Sequence, residues 1–326
     1  MTGWYKIIPS GPITIGNLTP VGQNSGQVGC RWPPNGHQLA ACLNLPSQSQ
    51  LWGPFWEYNS NLYVPLPLPV YTLDLNITAG NLPRNLYRMQ WTNTEQWQVQ
   101  PEHQGQEIEV IGGKYLIPGN TLQQFWQEQK WNFKSGAAPD NTLQPLPWQS
   151  LTLSHNRRQD FQVVEEGGFF AEQTTLMAPG WSILVKIIGD YQPPDWGILG
   201  AGTPVNISPV QEKNTWQWLT ASCPQPQGGI LLTAALWQQP GRKISVPKPP
   251  GVKAYAAEMG VPWQSWKKVR DRKDPNRRVS VLTPGEWMTP AGAVYLWEET
   301  PPLSESGPYP DAFHRDALGY GHLWLF

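Results

Sequence analysis

Apolar positions in this chain gather in short runs cut by Pro, Gly and Asn, and few stretches keep a helical period. Short runs bounded by such residues predict strands. Residues 4–8 form the first, closed by Pro9 and Gly11, and Ile13 and Ile15 extend its pattern. Residues 16–30 are rich in Gly, Asn, Ser and Gln without hydrophobic period, which predicts a long loop. Asn35 is placed to cap a helix over residues 36–43, with Leu39, Cys42 and Leu43 spaced for one buried face. Residues 52–56 and 61–65 flank the turn-like Tyr58-Asn59-Ser60 and predict a hairpin. A second hairpin is predicted from residues 108–111 and 115–117 around Gly112-Gly113-Lys114. A second helix follows over 121–131, behind Asn120.

Residues 134–147 read as a polar, Pro-rich linker. Strands are predicted at 151–153, 161–164, 168–171 and 181–188, the last strongly β-branched. Residues 197–202 form a Gly-rich turn, and 230–237 fit either a helix or a buried strand. Residues 238–287 carry a Pro-rich, then basic, insertion before a strand at 291–298. Last come His314-Arg315, the glycine turn Gly319-Tyr320-Gly321 and an apolar run over 323–326. Strands outnumber helices and no regular repeat appears. The pattern predicts an α+β protein with antiparallel sheets and long inserted loops. A length of 326 residues favours two domains, expected at 1–147 and 148–326.

Composition sharpens this picture in three ways. The 19 Trp and 35 Pro suit extended segments and suggest a surface that meets partners, since Trp is enriched at interfaces as well as in cores. A net charge of −1 supplies no global field for nucleic acid, so any such binding must come from local patches. Cys30, Cys42 and Cys223 lack metal-ligand spacing and fit reduced thiols. Neither a secretory leader pattern nor a membrane-length apolar run is visible. The expectation is a cytoplasmic protein needing no cofactor and no membrane.

The densest cationic stretch is Lys267-Lys268, Arg270, Arg272 and Arg277-Arg278, beside Trp263 and Trp266. Such a run binds phosphates by releasing counterions, and neighbouring indoles can stack on bases. A solvated loop, or a face toward an acidic protein, explains it equally well. His155, Arg157 and Arg158 form a second, smaller group in a predicted inter-strand loop. Around Gly319-Tyr320-Gly321, glycine allows φ > 0 and close backbone approach, so peptide N–H groups and Arg315 can meet a phosphate backbone. The plain alternative is a tight turn before a last core strand. Hydrolase, metalloprotease and phosphate-loop motifs are absent. Trp-rich platforms also suit sugars, which leaves a carbohydrate-binding module as an alternative.

Several stretches, in order, resemble one family. They are Trp32-Pro33-Pro34-Asn35-Gly36-His37, Gly53-Pro54-Phe55, Tyr63-Val64-Pro65-Leu66-Pro67, Gly113-Lys114-Tyr115-Leu116, residues 154–170, Pro290-Ala291-Gly292-Ala293-Val294-Tyr295 and Gly319-Tyr320-Gly321. Together they look like the RAMP superfamily of CRISPR proteins, nearest to the subunit of type III, Cmr-type effectors that binds the crRNA 5′ handle. The resemblance implies two ferredoxin-like (RRM-like) domains and a non-catalytic role. It also implies crRNA, a large polymerase-like subunit and backbone RAMP subunits as partners. Some RAMP nucleases keep a His on the first helix, so His37 carries the alternative of a crRNA-processing endoribonuclease. Otherwise His37 binds RNA or packs.

Overall fold

Alternation along the strands divides the apolar side chains between opposite faces of two stacked sheets. On Gly3–Pro9, Trp4 enters one core and Ile7 another. On Gln50–Tyr58, Phe55 and Trp56 divide the same way. In the computed structural model, residues 2–16, 26–78, 81–134, 142–156, 158–159, 162–163, 169–237, 246–271, 277–301 and 303–326 are described. The first sheet has eight antiparallel strands. In spatial order they are Gln144–Pro145, Tyr115–Pro118, Asn61–Pro65, Gln50–Tyr58, Trp181–Ile188, Gly3–Pro9, Thr203–Val210 and Trp196–Leu199. The second has five, ordered Val252–Ala256, Val294–Trp297, Gly228–Leu231, His322–Leu325 and Gly307–Pro308, also antiparallel.

The core between these sheets is built from Trp4, Phe55 and Leu184 on one side and Ile230, Val294 and Trp324 on the other. Helix α1, Gly36–Cys42, covers the far face of the first sheet through Leu39 and Cys42. The far face of the second sheet holds Leu231, Tyr295, Leu323 and Leu325. This is the strand-rich α+β architecture that the hydrophobic pattern predicts. A cut after residue 147 passes through the first sheet. Trp181–Ile188 lies between Gly3–Pro9 and Gln50–Tyr58, and Thr203–Val210 flanks Gly3–Pro9 on its other side.

Asn35 caps α1 as expected and forms a full capping box. Its Oδ1 accepts from His37 N at 3.1 Å and Gln38 N at 3.3 Å, while Gln38 Oε1 accepts from Asn35 N at 2.8 Å. Helix α2, Gly119–Glu128, is shorter than the predicted 121–131. Gln129 turns left-handed at φ 62°, and Lys130–Asn132 then pairs with Asn85–Arg88. The predicted hairpin across Gly112-Gly113 also differs. Glu109–Val110 pairs with Val70–Thr72 in a separate four-stranded sheet, while Tyr115–Pro118 joins the first sheet. The turn itself packs on backbone: a Cβ on Gly112 would stand 2.2 Å from Leu68 O.

Residue 230 begins a buried strand segment rather than a helix, within Gly228–Leu231. The 238–287 insertion supplies an edge strand to the second sheet and then an arm of two ribbons. These pair Val261–Trp263 with Glu286–Met288 and Trp266–Arg270 with Arg278–Leu282. The Trp wealth is mostly internal: among the described side chains only Trp196 and Trp287 are exposed. The composition therefore reflects aromatic packing more than a partner-facing surface. No helix among the described residues is long and apolar enough to cross a membrane.

Candidate nucleic-acid interface

Six of the seven family-like segments singled out above meet at one junction, residues 154–170 being the exception. A cleft of about 290 Å3 opens between the two sheets. It is lined by Trp32 to Gly36, Gly53-Pro54, Pro65, Gly113, Pro290-Ala291 and Gly319-Tyr320. Its aromatic wall is the cluster of Trp32, Trp56 and Trp148, with the last two centroids 4.6 Å apart. Glu258, from the arm, is the one charged side chain among the described lining. Backbone contacts set the junction. A Cβ on Gly36 would lie 1.7 Å from Leu318 O, and one on Gly319 would lie 2.5 Å from Gly53 O. The start of α1, the strand Gln50–Tyr58 and the terminal turn therefore pack main chain on main chain.

Both turn glycines take positive φ, 82° at Gly319 and 71° at Gly321. All three residues of Gly319-Tyr320-Gly321 are buried. Their N–H groups are engaged inside the protein: Gly319 N with Asp316 O at 3.0 Å, Tyr320 N with Arg315 O at 3.4 Å, Gly321 N with Ala234 O at 3.0 Å. Gly319 O accepts from Thr233 Oγ1 at 2.7 Å. The turn offers no free peptide N–H to a phosphate, so its geometry is that of a core connection. Arg315 is equally committed. It is 5% exposed, with Nε 2.5 Å from Asp311 Oδ2 and Nη1 2.8 Å from Glu286 Oε2. Two carboxylates saturate the guanidinium fork and lock the arm to the terminal turn. The spacing of Asp311 to Arg315 was legible in the chain; the reach to Glu286 was not.

His37 stands half-buried at the start of α1, its Nδ1 3.0 Å from Tyr320 Oη. Trp263 Nε1 donates to the same hydroxyl at 3.1 Å. Burial, and then the charge of Arg315, hold the His37 pKa below its usual range. Both effects favour the neutral imidazole, whose Nδ1 is hydrogen-bonded to the Tyr320 hydroxyl. Trp263 is 3% exposed and packs on His37, so it presents no face to a base.

The ribbon Trp266–Arg270 with Arg278–Leu282 is the open cationic feature. Arg270 stands directly opposite Arg278 in the register, and both are exposed, as is Arg277. None of these three makes an ion pair among the described residues. Like charges directly opposite destabilise a two-stranded pair unless an anion bridges them. Lys267 and Lys268 lie on the first of these strands; Arg272 falls outside the described residues. His155 sits on the long hairpin Trp148–Asn156 with Phe169–Met177, its Nε2 3.1 Å from Glu172 Oε2. Arg158 lies on the short strand Arg158–Gln159, and Arg157 is outside the described residues. The structure thus divides the predicted residues between a buried junction and the basic ribbon of the arm. No cluster of metal-ligating side chains occurs among the described residues.

The described residues form a strand-rich α+β protein with two stacked antiparallel sheets. No protein-family model and no curated protein matches the chain. Among solved structures it is similar to chains of type III CRISPR–Cas complexes. One belongs to a type III-B Cmr-beta complex bound to cognate target RNA, with 10% identity, TM-score 0.47, and coverage of 98% of this chain and 96% of that one. A second, from that complex with target RNA and AMPPnP, has 10% identity, TM-score 0.39, and coverage of 90% and 86%. A third, from the Csm3–Csm4 subcomplex of the type III-A interference complex, has 8% identity, TM-score 0.36, and coverage of 99% and 98%. At these values the likeness is one of chain course and assigns no role to a residue.

Proposed function

We propose that this chain is a non-catalytic RNA-binding subunit of a type III CRISPR effector, holding the crRNA 5′ handle and docking the large polymerase-like subunit. The observation that carries the reading is the Arg270–Arg278 pair. Arg270 and Arg278 stand opposite in the strand register, both exposed and without an ion pair among the described residues, with Arg277 beside them, an arrangement that a phosphate backbone relieves. The strand orders add support. In the first sheet, Gln50–Tyr58, Trp181–Ile188, Gly3–Pro9 and Thr203–Val210 are neighbours in the order 2-3-1-4 by chain position. In the second sheet, Val252–Ala256, Val294–Trp297, Gly228–Leu231 and His322–Leu325 repeat that order. This is the strand order of a ferredoxin-like unit, so two such units, the first interrupted by a long insertion, fit the chain. On that reading the division between them falls near the 3-10 turn Asn214–Thr220. The junction cleft then becomes the seam between the two units.

The test reverses Arg270 and Arg278 to Glu and measures affinity for handle RNA across a salt series. Each lost phosphate contact lowers the log–log salt slope by roughly 0.7 for single strands, so a fall of about 1.4 is expected. An unchanged slope with unchanged affinity reassigns the ribbon to a protein partner.

A further inference from the structure

Among the described residues the two main sheets present four unpaired edges, and three of them are guarded. Gln144–Pro145 and Gly307–Pro308 are two residues long and end on proline. Val252–Ala256 carries the exposed Lys253 and a register shift. Brevity, proline, lysine and bulges are the devices that keep an edge from pairing with another chain. The fourth edge, Trp196–Leu199, is four residues long and carries no proline, lysine or bulge. Its sequence is Trp-Gly-Ile-Leu, and its register with Thr203–Val210 is unbroken.

Its backbone groups are aimed outward. Ile207 N donates to Asp195 O at 2.8 Å, which makes Asp195 and Ile207 a hydrogen-bonded pair. Antiparallel alternation then turns Gly197 and Leu199 toward the neighbouring strand and points the N–H and C=O of Trp196 and Ile198 away from it. Pro204, which has no N–H, stands opposite Ile198, as a non-hydrogen-bonded position allows. The side chains match this opening: Trp196 is 65% exposed and Ile198 45%. Ile8, 38% exposed, lies in the same row through Asn206 and extends the apolar face.

We infer that Trp196–Leu199 is a strand-addition site. It takes an extended segment of another protein subunit, with apolar side chains at alternate positions beside Trp196 and Ile198. A second copy fits less well. A four-residue ladder between two such edges falls short of the roughly 800 Å2 per partner that a stable dimer buries. A subunit already held in an assembly by other surfaces needs no such area here, so the inference rests on the proposed role as an effector subunit.

The experiment recovers the complex from its source cells through a tag on this chain. Amide hydrogen exchange over residues 195–200 is then followed in the free chain, in the chain with handle RNA and in the complex. The Trp196 and Ile198 amides are expected to slow at least tenfold in the complex alone. Ile198→Pro removes one outward N–H and leaves the ladder to Thr203–Val210 intact. It is expected to abolish that protection while melting temperature and RNA affinity hold. Trp196→Lys repeats the test without touching the backbone. Equal exchange in free chain and complex overturns the inference. Protection in the free chain with doubled mass assigns the edge to a second copy, and protection by RNA alone assigns it to nucleic acid; either overturns it too. RNA content of the same sample reports on the effector reading separately: protection without any RNA upholds the edge and sinks that reading.

Discussion

Gly319→Ala is the most direct perturbation of the junction where the two sheets meet. A Cβ there would stand 2.5 Å from Gly53 O and 3.0 Å from Leu51 O, both main-chain atoms that cannot swing aside. Gly319 also sits at φ 82°, where a β-carbon costs about 1–2 kcal/mol. Overpacking against fixed backbone adds about 1–3 kcal/mol, which gives a loss of about 2–5 kcal/mol in all. Gly321→Ala separates the two contributions. Its φ is 71°, but the nearest atom to its Cβ would be Tyr309 Cβ at 3.7 Å, so only the conformational cost remains. Urea unfolding of both variants and the parent, read by Trp fluorescence, measures the difference. Gly319→Ala should lie about 1–3 kcal/mol below Gly321→Ala. RNA affinity of the folded fraction should be unchanged in both, because every N–H of the turn is bonded internally. Equal stability of the two variants refutes the close-packed junction, and loss of RNA affinity in a folded variant restores a binding role to the turn.

Removing the guanidinium in Arg315→Met leaves Asp311 and Glu286 facing each other. Since Glu286 is 23% exposed, the cost falls below that of a fully buried pair, at about 2–4 kcal/mol by urea unfolding. His322 gives a pH signature. It is fully buried, Nε2 donates to Leu219 O at 2.9 Å, and Nδ1 has no partner among the described residues; burial lowers its pKa to about 4. The unfolded state therefore binds more protons between about pH 6.5 and 4, and stability falls as pH drops through that window. The loss is on the order of 3 kcal/mol, and His322→Gln should flatten it in a pH series of urea midpoints.

Local chemistry made some of this fold legible and hid the rest. Asn35 and Gln38 lie three residues apart and signal their capping box without tertiary help. The β-branched run at Trp181–Ile188 announces a buried strand. What it does not announce is its neighbours. A strand inserted between Gly3–Pro9 and Gln50–Tyr58 after more than a hundred intervening residues defeats any boundary drawn from a Pro-rich linker. Gln129 ends α2 by adopting a left-handed cap without a glycine, a stop that the local sequence does not signal. At the site, the proline and glycine segments are visible as motifs, but their meeting at one cleft is not. Nor are their roles, since burial is set by distant chain: Arg315 reads as a free cation until Glu286 arrives from the arm. The basic run is visible in the chain, while the opposed placement of Arg270 and Arg278 appears only with the strand register.

The central claim is that this chain holds guide RNA through its cationic ribbon. The measurement that meets it most directly is sequencing of the RNA recovered with the tagged chain from its source cells, after ultraviolet crosslinking. The account predicts short RNAs sharing one repeat-derived 5′ end, with crosslinked peptides from residues 266–282. RNA of random sequence, crosslinks confined to other surfaces, or no RNA above the level of an Arg270→Glu, Arg278→Glu control would contradict it.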